Sequence, residues 1–145
     1  MLREMKFEDA EIIREITATQ LGYSVPLSLV IQQMKKIVVD KENHFLLVYE
    51  DEKTQEVLGY VHAELYEAIY AEPMFNILAL AVSKQAENKG IGKALMQSVE
   101  KEAKKRNIFA IRLNSGETRK EAHKFYEHIG YESSKFQKKY FKALD

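Results

Sequence analysis

Ala10, Ile12, Ile13 and Ile16 recur at helical spacing between residues 8 and 20, and Leu27, Val30, Ile31, Met34, Ile37 and Val38 repeat the pattern over residues 27 to 38. Two amphipathic helices are predicted, with Gly22 and Pro26 punctuating the gap between them. The period then changes. Phe45-Leu46-Leu47-Val48-Tyr49 and the stretch from Val57 to Tyr66 read as extended, and the charged run Glu50-Asp51-Glu52-Lys53 reads as the turn of an antiparallel hairpin. Phe75 to Val82 is apolar on both alternating faces apart from Asn76, as expected of a central strand covered on two sides. From Gly90 to about Arg106, the set Ile91, Ala94, Leu95, Val99 and Ala103 returns to helical spacing. Phe109 to Leu113 reads as a strand, and Ala122, Phe125, Tyr126 and Ile129 mark a helix ended by Gly130. Tyr131 to Phe141 reads as a last, partly polar strand. The order is strand, helix, helix, three strands, helix, strand, helix, strand, which predicts an α/β chain of the α+β kind: a central mixed sheet flanked by about four helices.

No repeat, low-complexity tract or linker interrupts this pattern, so residues 1–145 are expected to form a single domain. The chain has no cysteine, which excludes disulfides, thiolate metal sites and a cysteine nucleophile, and agrees with a reducing, cytoplasmic compartment. Lys plus Arg and Asp plus Glu both count 22, so bulk charge offers nucleic acid no attraction. The start, Met1-Leu2-Arg3-Glu4-Met5, lacks the apolar core of a leader, and no run approaches the ~18 apolar residues of a membrane span. A soluble, unprocessed protein is expected, with neither a nucleic-acid nor a membrane partner.

Chemistry concentrates where the apolar strand meets the helix. A strand, a short polar loop with Gly90 and Gly92, and a helix start make a natural anion site, because the first helical amides have no intrahelical acceptors and the dipole is positive there. Lys89 and Lys93 add mobile positive charge, as a pyrophosphate would require. The plainer alternative is that the two glycines merely permit a tight turn. A P-loop needs four residues between its glycines followed by Lys-Ser/Thr, and a dinucleotide fingerprint needs a small residue where Leu95 stands, so both nucleotide motifs fail on spacing.

Leu80-Ala81-Val82 followed by Glu87-Asn88-Lys89-Gly90-Ile91-Gly92 and Lys93-Ala94-Leu95 resembles the cofactor loop of the GNAT superfamily of N-acetyltransferases, written Gln/Arg-x-x-Gly-x-Gly/Ala after a strand ending in Leu-x-Val. Asn114, Ala122, Phe125-Tyr126-Glu127 and Gly130-Tyr131 look like the second signature of that family. The specific motifs cover about residues 78 to 131, with Glu87 standing where the family usually has Gln or Arg. The resemblance implies acetyl-CoA as cosubstrate, held by Leu80, Ala81, Val82, Asn88, Lys89, Gly90, Ile91, Gly92, Lys93, Asn114 and Phe125. It implies that the pantetheine arm pairs with residues 79 to 82 as an added strand, with a backbone amide near Leu80 polarising the thioester carbonyl. Homodimers are common among similar proteins.

Acetyl transfer to an amine requires a neutral amine, stabilisation of a tetrahedral oxyanion and a proton for the leaving thiolate. Tyr126 matches the family's general-acid tyrosine, although on a stripe with Ala122, Phe125 and Ile129 a tyrosine is ordinarily core. For the base, the apolar strand offers only Asn76, which leaves Glu64 or His62 on the preceding strand, where Tyr60, His62, Glu64 and Tyr66 share one face by two-residue spacing. Both could equally be surface groups, and capture of a free amine through ordered water needs no dedicated base. His123 and His128 lie about 140° apart round one helix and cannot share an ion, so no metal is expected. Glu64, Glu67 and Glu72 with Tyr23, Tyr66 and Tyr70 would suit a cationic acceptor if they converge, and the resemblance points to small-molecule primary amines. The competing readings are a CoA-binding regulatory module without transferase activity, an empty structural partner domain, and an acetyltransferase of protein amino termini or lysines.

Overall fold

A computed structural model describes residues 1–145, which divide into two compact units, Met1–Leu113 and Asn114–Asp145. The first unit holds a five-stranded mixed sheet in the order β1-β2-β3-β4-β5. β1 (Leu2–Glu4), β2 (His44–Glu50), β3 (Val57–Ala68) and β4 (Ala71–Val82) run antiparallel to their neighbours, whereas β5 (Ile111–Leu113) pairs parallel with β4. Between β1 and β2 lie α1 (Ala10–Ile16) and α2 (Leu27–Ile37), and α3 (Ile91–Lys105) joins β4 to β5.

The helical pattern of residues 8 to 20 is realised in three pieces: a 3₁₀ turn at Phe7–Asp9, α1, and a wider π-helical turn at Thr17–Leu21 that ends at Gly22 with φ +80°. The Thr17 hydroxyl donates to the Ile13 carbonyl at 2.7 Å and meets the Tyr60 hydroxyl at 2.5 Å, which ties the end of the helix to β3. One face of the sheet, with Val48, Tyr60 and Ala81, buries against Ile13 and Ile16 of α1 and Met34 of α2. Val61 and Ala63 point the other way by strand alternation, and α3 packs on β2, β3 and β4 through a stripe that includes Leu95, Met96 and Val99, all fully buried. At roughly 25 cal/mol per Å² of apolar surface, each such side chain stabilises the fold by about 2 kcal/mol. Beside β1, Arg3 forks onto Asp9 with two bonds of 2.9 Å and also bonds Glu50, so the buried Asp9 carboxylate is paired.

The second unit contains α4 (Lys120–His128), closed by Gly130 at φ +98° with the Tyr131 N–H donating to the Tyr126 carbonyl at 2.9 Å. The last strand expected from Tyr131 to Phe141 does not form: residues 131–145 carry no helix or strand, and Phe136, Tyr140, Phe141 and Leu144 are 82 to 87 % exposed. The run Ser133-Ser134-Lys135 and Gln137-Lys138-Lys139 offers too few apolar positions to commit one face to a core. No helix is long and apolar enough to cross a membrane.

Candidate functional site

β4 sets the geometry of the site. Its parallel pairing with β5 spans only Phe75 to Ile77, so from Leu78 to Val82 the side of β4 away from β3 has no neighbouring strand. On the β3 side the register slips at one place: His62 faces Ala79 and Ala63 faces Ile77, which leaves Leu78 as an extra, bulged residue. The bulge explains why Leu78 is 49 % exposed where a strand covered on both faces was expected. Ser83 N–H donates to the Leu58 carbonyl at 2.8 Å, so antiparallel alternation turns the backbone groups of Ala79 and Ala81 toward β3 and those of Leu80 and Val82 away from it. Unpaired N–H and C=O groups at Leu80 and Val82 can therefore accept an extended amide-bearing ligand as an added strand.

Beyond Val82 the chain makes a 3₁₀ turn at Lys84–Ala86, whose Ala86 is buried, and then exposes Glu87, Asn88, Lys89 and Gly90. Asn88 and Gly90 take φ of +63° and +80°, so the loop reverses twice around Lys89 before α3 begins. Asparagine tolerates the left-handed region and glycine enters it without strain. No side chain caps α3, and its first intrahelical bond runs from the Ala94 N–H to the Gly90 carbonyl at 3.0 Å, which leaves the Ile91, Gly92 and Lys93 amides facing outward at the positive end of the dipole. Ile91 is 4 % exposed, so its side chain belongs to the core and only its amide is available to a ligand. Lys93 is exposed, as is Glu87, whose carboxylate makes no ion pair. This arrangement fits a phosphate-bearing ligand bound by main-chain amides.

The face of β3 singled out by its two-residue spacing carries a connected polar row. Glu64 faces His44 on β2 and Asn76 on β4, and Asn76 faces Arg112 on β5. Asn76 Nδ2 donates to Glu64 Oε2 at 2.8 Å, Arg112 Nη1 donates to Asn76 Oδ1 at 2.7 Å, and the Arg112 guanidinium lies 4.5 Å from the Tyr66 ring centre. His44 Nδ1 and His62 Nε2 are 2.9 Å apart, so one ring donates and the other accepts. Of the other residues suggested as an acidic and aromatic lining, Tyr23, Glu67, Tyr70 and Glu72 are exposed and only Glu64 and Tyr66 join this row. The sequence shows Asn76 only as the polar residue of its run and gives no sign of Arg112 or the histidine pair, because cross-strand register is not legible in one strand.

Burial, with a smaller contribution from the nearby His44, pushes the His62 imidazole down to about 4 from its ordinary 6.5. The unfolded chain therefore takes this proton at higher pH than the folded one. The stability contributed by the neutral ring is complete above pH 6.5 and is lost as pH falls from 6.5 to 4, a loss of about 3 kcal/mol. An NMR titration of the histidine rings should place the His62 midpoint near 4; a midpoint near 6.5 would show that the ring is solvated.

In the second unit, Asn114 is exposed at the first position, and Phe125 and Tyr126 lie half-buried on α4. The Tyr126 ring contacts Phe125 and Tyr131 edge-on at centroid distances of 5.2 and 6.0 Å. Burial raises the Tyr126 phenol above its usual value, partly opposed by the charge of Arg119, and the hydroxyl makes no hydrogen bond within the chain. It is protonated at neutral pH. His123 Nε2 lies 2.8 Å from the Gly116 carbonyl, and no three His, Asp or Glu side chains gather as metal ligands would. A groove of about 520 Å³ runs along the flank of α1 opposite its buried stripe, between Glu11, Arg14, Glu15 and the Ser24–Pro26 segment.

The sequence matches the profile of the Acetyltransferase (GNAT) family over residues 10–131. Among solved structures, a transcriptional regulator from Bacillus halodurans C-125 is 26% identical, with a TM-score of 0.84, covering 97% of this chain and 99% of its own. An aminoglycoside 6'-N-acetyltransferase from Acinetobacter baumannii is 14% identical with a TM-score of 0.85 over 100% of this chain and 99% of its own. A glucosamine-6-phosphate N-acetyltransferase from Arabidopsis thaliana is 18% identical with a TM-score of 0.82 over 98% of each. No curated protein sequence matches. With the profile extending from α1 through α4 and the GNAT fold shared across these structures, the chain belongs to the acetyltransferase (GNAT) family.

Proposed function

We propose that this protein transfers the acetyl group of acetyl-CoA directly to the primary amine of a small molecule. The observation that carries this reading is the β4 edge: main-chain groups of Leu80 and Val82 stand unpaired on a strand that leads, through the Asn88–Gly90 loop, to the uncapped amides of α3. Bound there, acetyl-CoA supplies a thioester-activated acetyl group. The outward amides of Ile91, Gly92 and Lys93 hold the pyrophosphate, Lys89 and Lys93 screen its charge, and the open edge of β4 orients the pantetheine amides. The Leu80 N–H, directed away from β3, polarises the thioester carbonyl.

As the carbon–nitrogen bond forms and the carbon–sulfur bond breaks, the amine loses a proton and the thiolate needs one. Glu64 receives the first through ordered water, and Tyr126, whose raised pKa keeps the phenol protonated, donates the second. Solvent restores the phenol. The family resemblance assigns further cofactor contacts to Asn114 and Phe125, and the exposed Glu87 takes no part. The small-molecule acceptor is supported by what the structural neighbours named above act on, an aminoglycoside in one case and glucosamine 6-phosphate in another.

Thermal unfolding with and without acetyl-CoA, followed by thiol release with spermidine, kanamycin and glucosamine 6-phosphate, tests the reading. A raised midpoint and release with at least one amine are expected. A midpoint shift without release would identify a CoA-binding module, and no shift would identify an empty domain.

A further inference from the structure

We propose that Arg112 and Asn76 are positioning residues for Glu64, acting as one relay across the sheet at the point where β4 and β5 part. The inference rests on the transferase reading above and concerns how its proton acceptor is held.

Three observations carry it. First, Glu64, Asn76 and Arg112 stand side by side on β3, β4 and β5, and the β4–β5 pairing ends one residue later, at Ile77 opposite Leu113. The row therefore crosses the foot of the open β4 edge. Second, the bonding allows only one direction. A guanidinium can only donate, so Arg112 fixes the Asn76 oxygen toward β5, and the Asn76 NH₂ must then face β3 and donate to Glu64. An asparagine amide is otherwise free to flip, and a flipped one would set oxygen against carboxylate. Third, the guanidinium carbon lies 4.5 Å from the Tyr66 ring centre, a cation–π contact that helps hold the charged group in place.

The result is a carboxylate with one oxygen committed. Oε2 accepts from Asn76, while Oε1 accepts no hydrogen bond from the chain and is left to take the proton through water. Arg112 is thus a second-hand determinant of catalysis: it touches neither substrate, yet it decides which way Asn76 faces and so where Glu64 points. A row of this kind could instead serve only to satisfy polar groups on a half-buried sheet face, and a double-mutant cycle separates the two roles.

The cycle is measured with whichever of the three amines is turned over fastest. Glu64→Gln should lower kcat about 10²-fold, the ordinary size of a proton-transfer contribution. Asn76→Ala should lower kcat about tenfold with the KM for acetyl-CoA unchanged, since misorientation affects the chemical step and not cofactor binding. Asn76→Asp has the same shape and keeps a partner for Arg112 but sets a second carboxylate against Glu64; it should lose at least as much in kcat, again with the KM for acetyl-CoA unchanged. Arg112→Lys should lose several-fold, because a compact ammonium cannot bond Asn76 and lie over Tyr66 in the way the guanidinium does. In the Glu64→Gln background, each of these changes should cost less than about twofold further. Equal losses in both backgrounds, or no loss from Asn76→Asp, would overturn the relay and leave Glu64 in its role. Full turnover by Glu64→Gln would overturn the relay and the assignment of Glu64 together.

Discussion

Gly92→Glu abolishes the stabilisation of this protein by acetyl-CoA while leaving the free protein at least as stable as before. The reasoning separates fold from ligand. Gly92 is the second residue of α3 and its φ is not positive, so a side chain meets no backbone strain there, unlike at Gly90 with φ +80°. Glutamate is a better helix former than glycine by about 0.6 kcal/mol, and a carboxylate in the first turn adds about 0.3 to 1 kcal/mol through the dipole. The unfolding midpoint of the free protein should therefore rise slightly. The same carboxylate stands among the Ile91, Gly92 and Lys93 amides and occupies the space a pyrophosphate needs, with like charge. Affinity for acetyl-CoA should fall by at least about 10²-fold, equivalent to some 3 kcal/mol. Calorimetric titration reads this directly. An unchanged dissociation constant would remove the helix terminus from the site.

The second large effect is expected at Tyr126. Tyr126→Phe should lower kcat about 10²-fold or more with acetyl-CoA affinity nearly unchanged, because only the proton for the leaving thiolate is lost. The ring's contacts with Phe125 and Tyr131 survive in phenylalanine, and the hydroxyl makes no internal hydrogen bond whose loss would disturb the fold. Burial holds the phenol above its usual value, so the acid is protonated through neutral pH, and the alkaline limb of the activity profile should lie where the phenol ionises, above the ordinary tyrosine range. Single-turnover kinetics separate this step from product release. Undiminished turnover would assign Tyr126 to packing, the ordinary role of an aromatic on a stripe with Ala122, Phe125 and Ile129.

Glu87 illustrates how a departure from the family pattern can be tolerated. A carboxylate in the position of the usual Gln or Arg would repel phosphate if it faced inward. The structure gives it an extended backbone after the 3₁₀ turn and leaves its side chain exposed, so the proposed anion site needs only the main-chain amides beyond it. Amides at a helix start do not depend on side-chain identity, so a site of this kind would tolerate a carboxylate at this position.

The sequence alone determined most of the elements and the position of the glycine loop before α3. Helical and strand periods located α1 to α4 and β2 to β4 to within a few residues, because each element must present one stripe or face to a core and the spacing of apolar residues records it. Gly90 marked the start of α3 because its left-handed φ of +80° is one that glycine adopts without strain. Only the tertiary structure decided the rest. The bulge at Leu78 and the short β4–β5 pairing are properties of register between strands, and they create the open edge. The joining of Glu64 to Asn76 and Arg112, and of His44 to His62, likewise depends on which residues of separate strands stand opposite one another. A strand's own sequence records its alternation but not its partner, so the groups were visible and their connection was not.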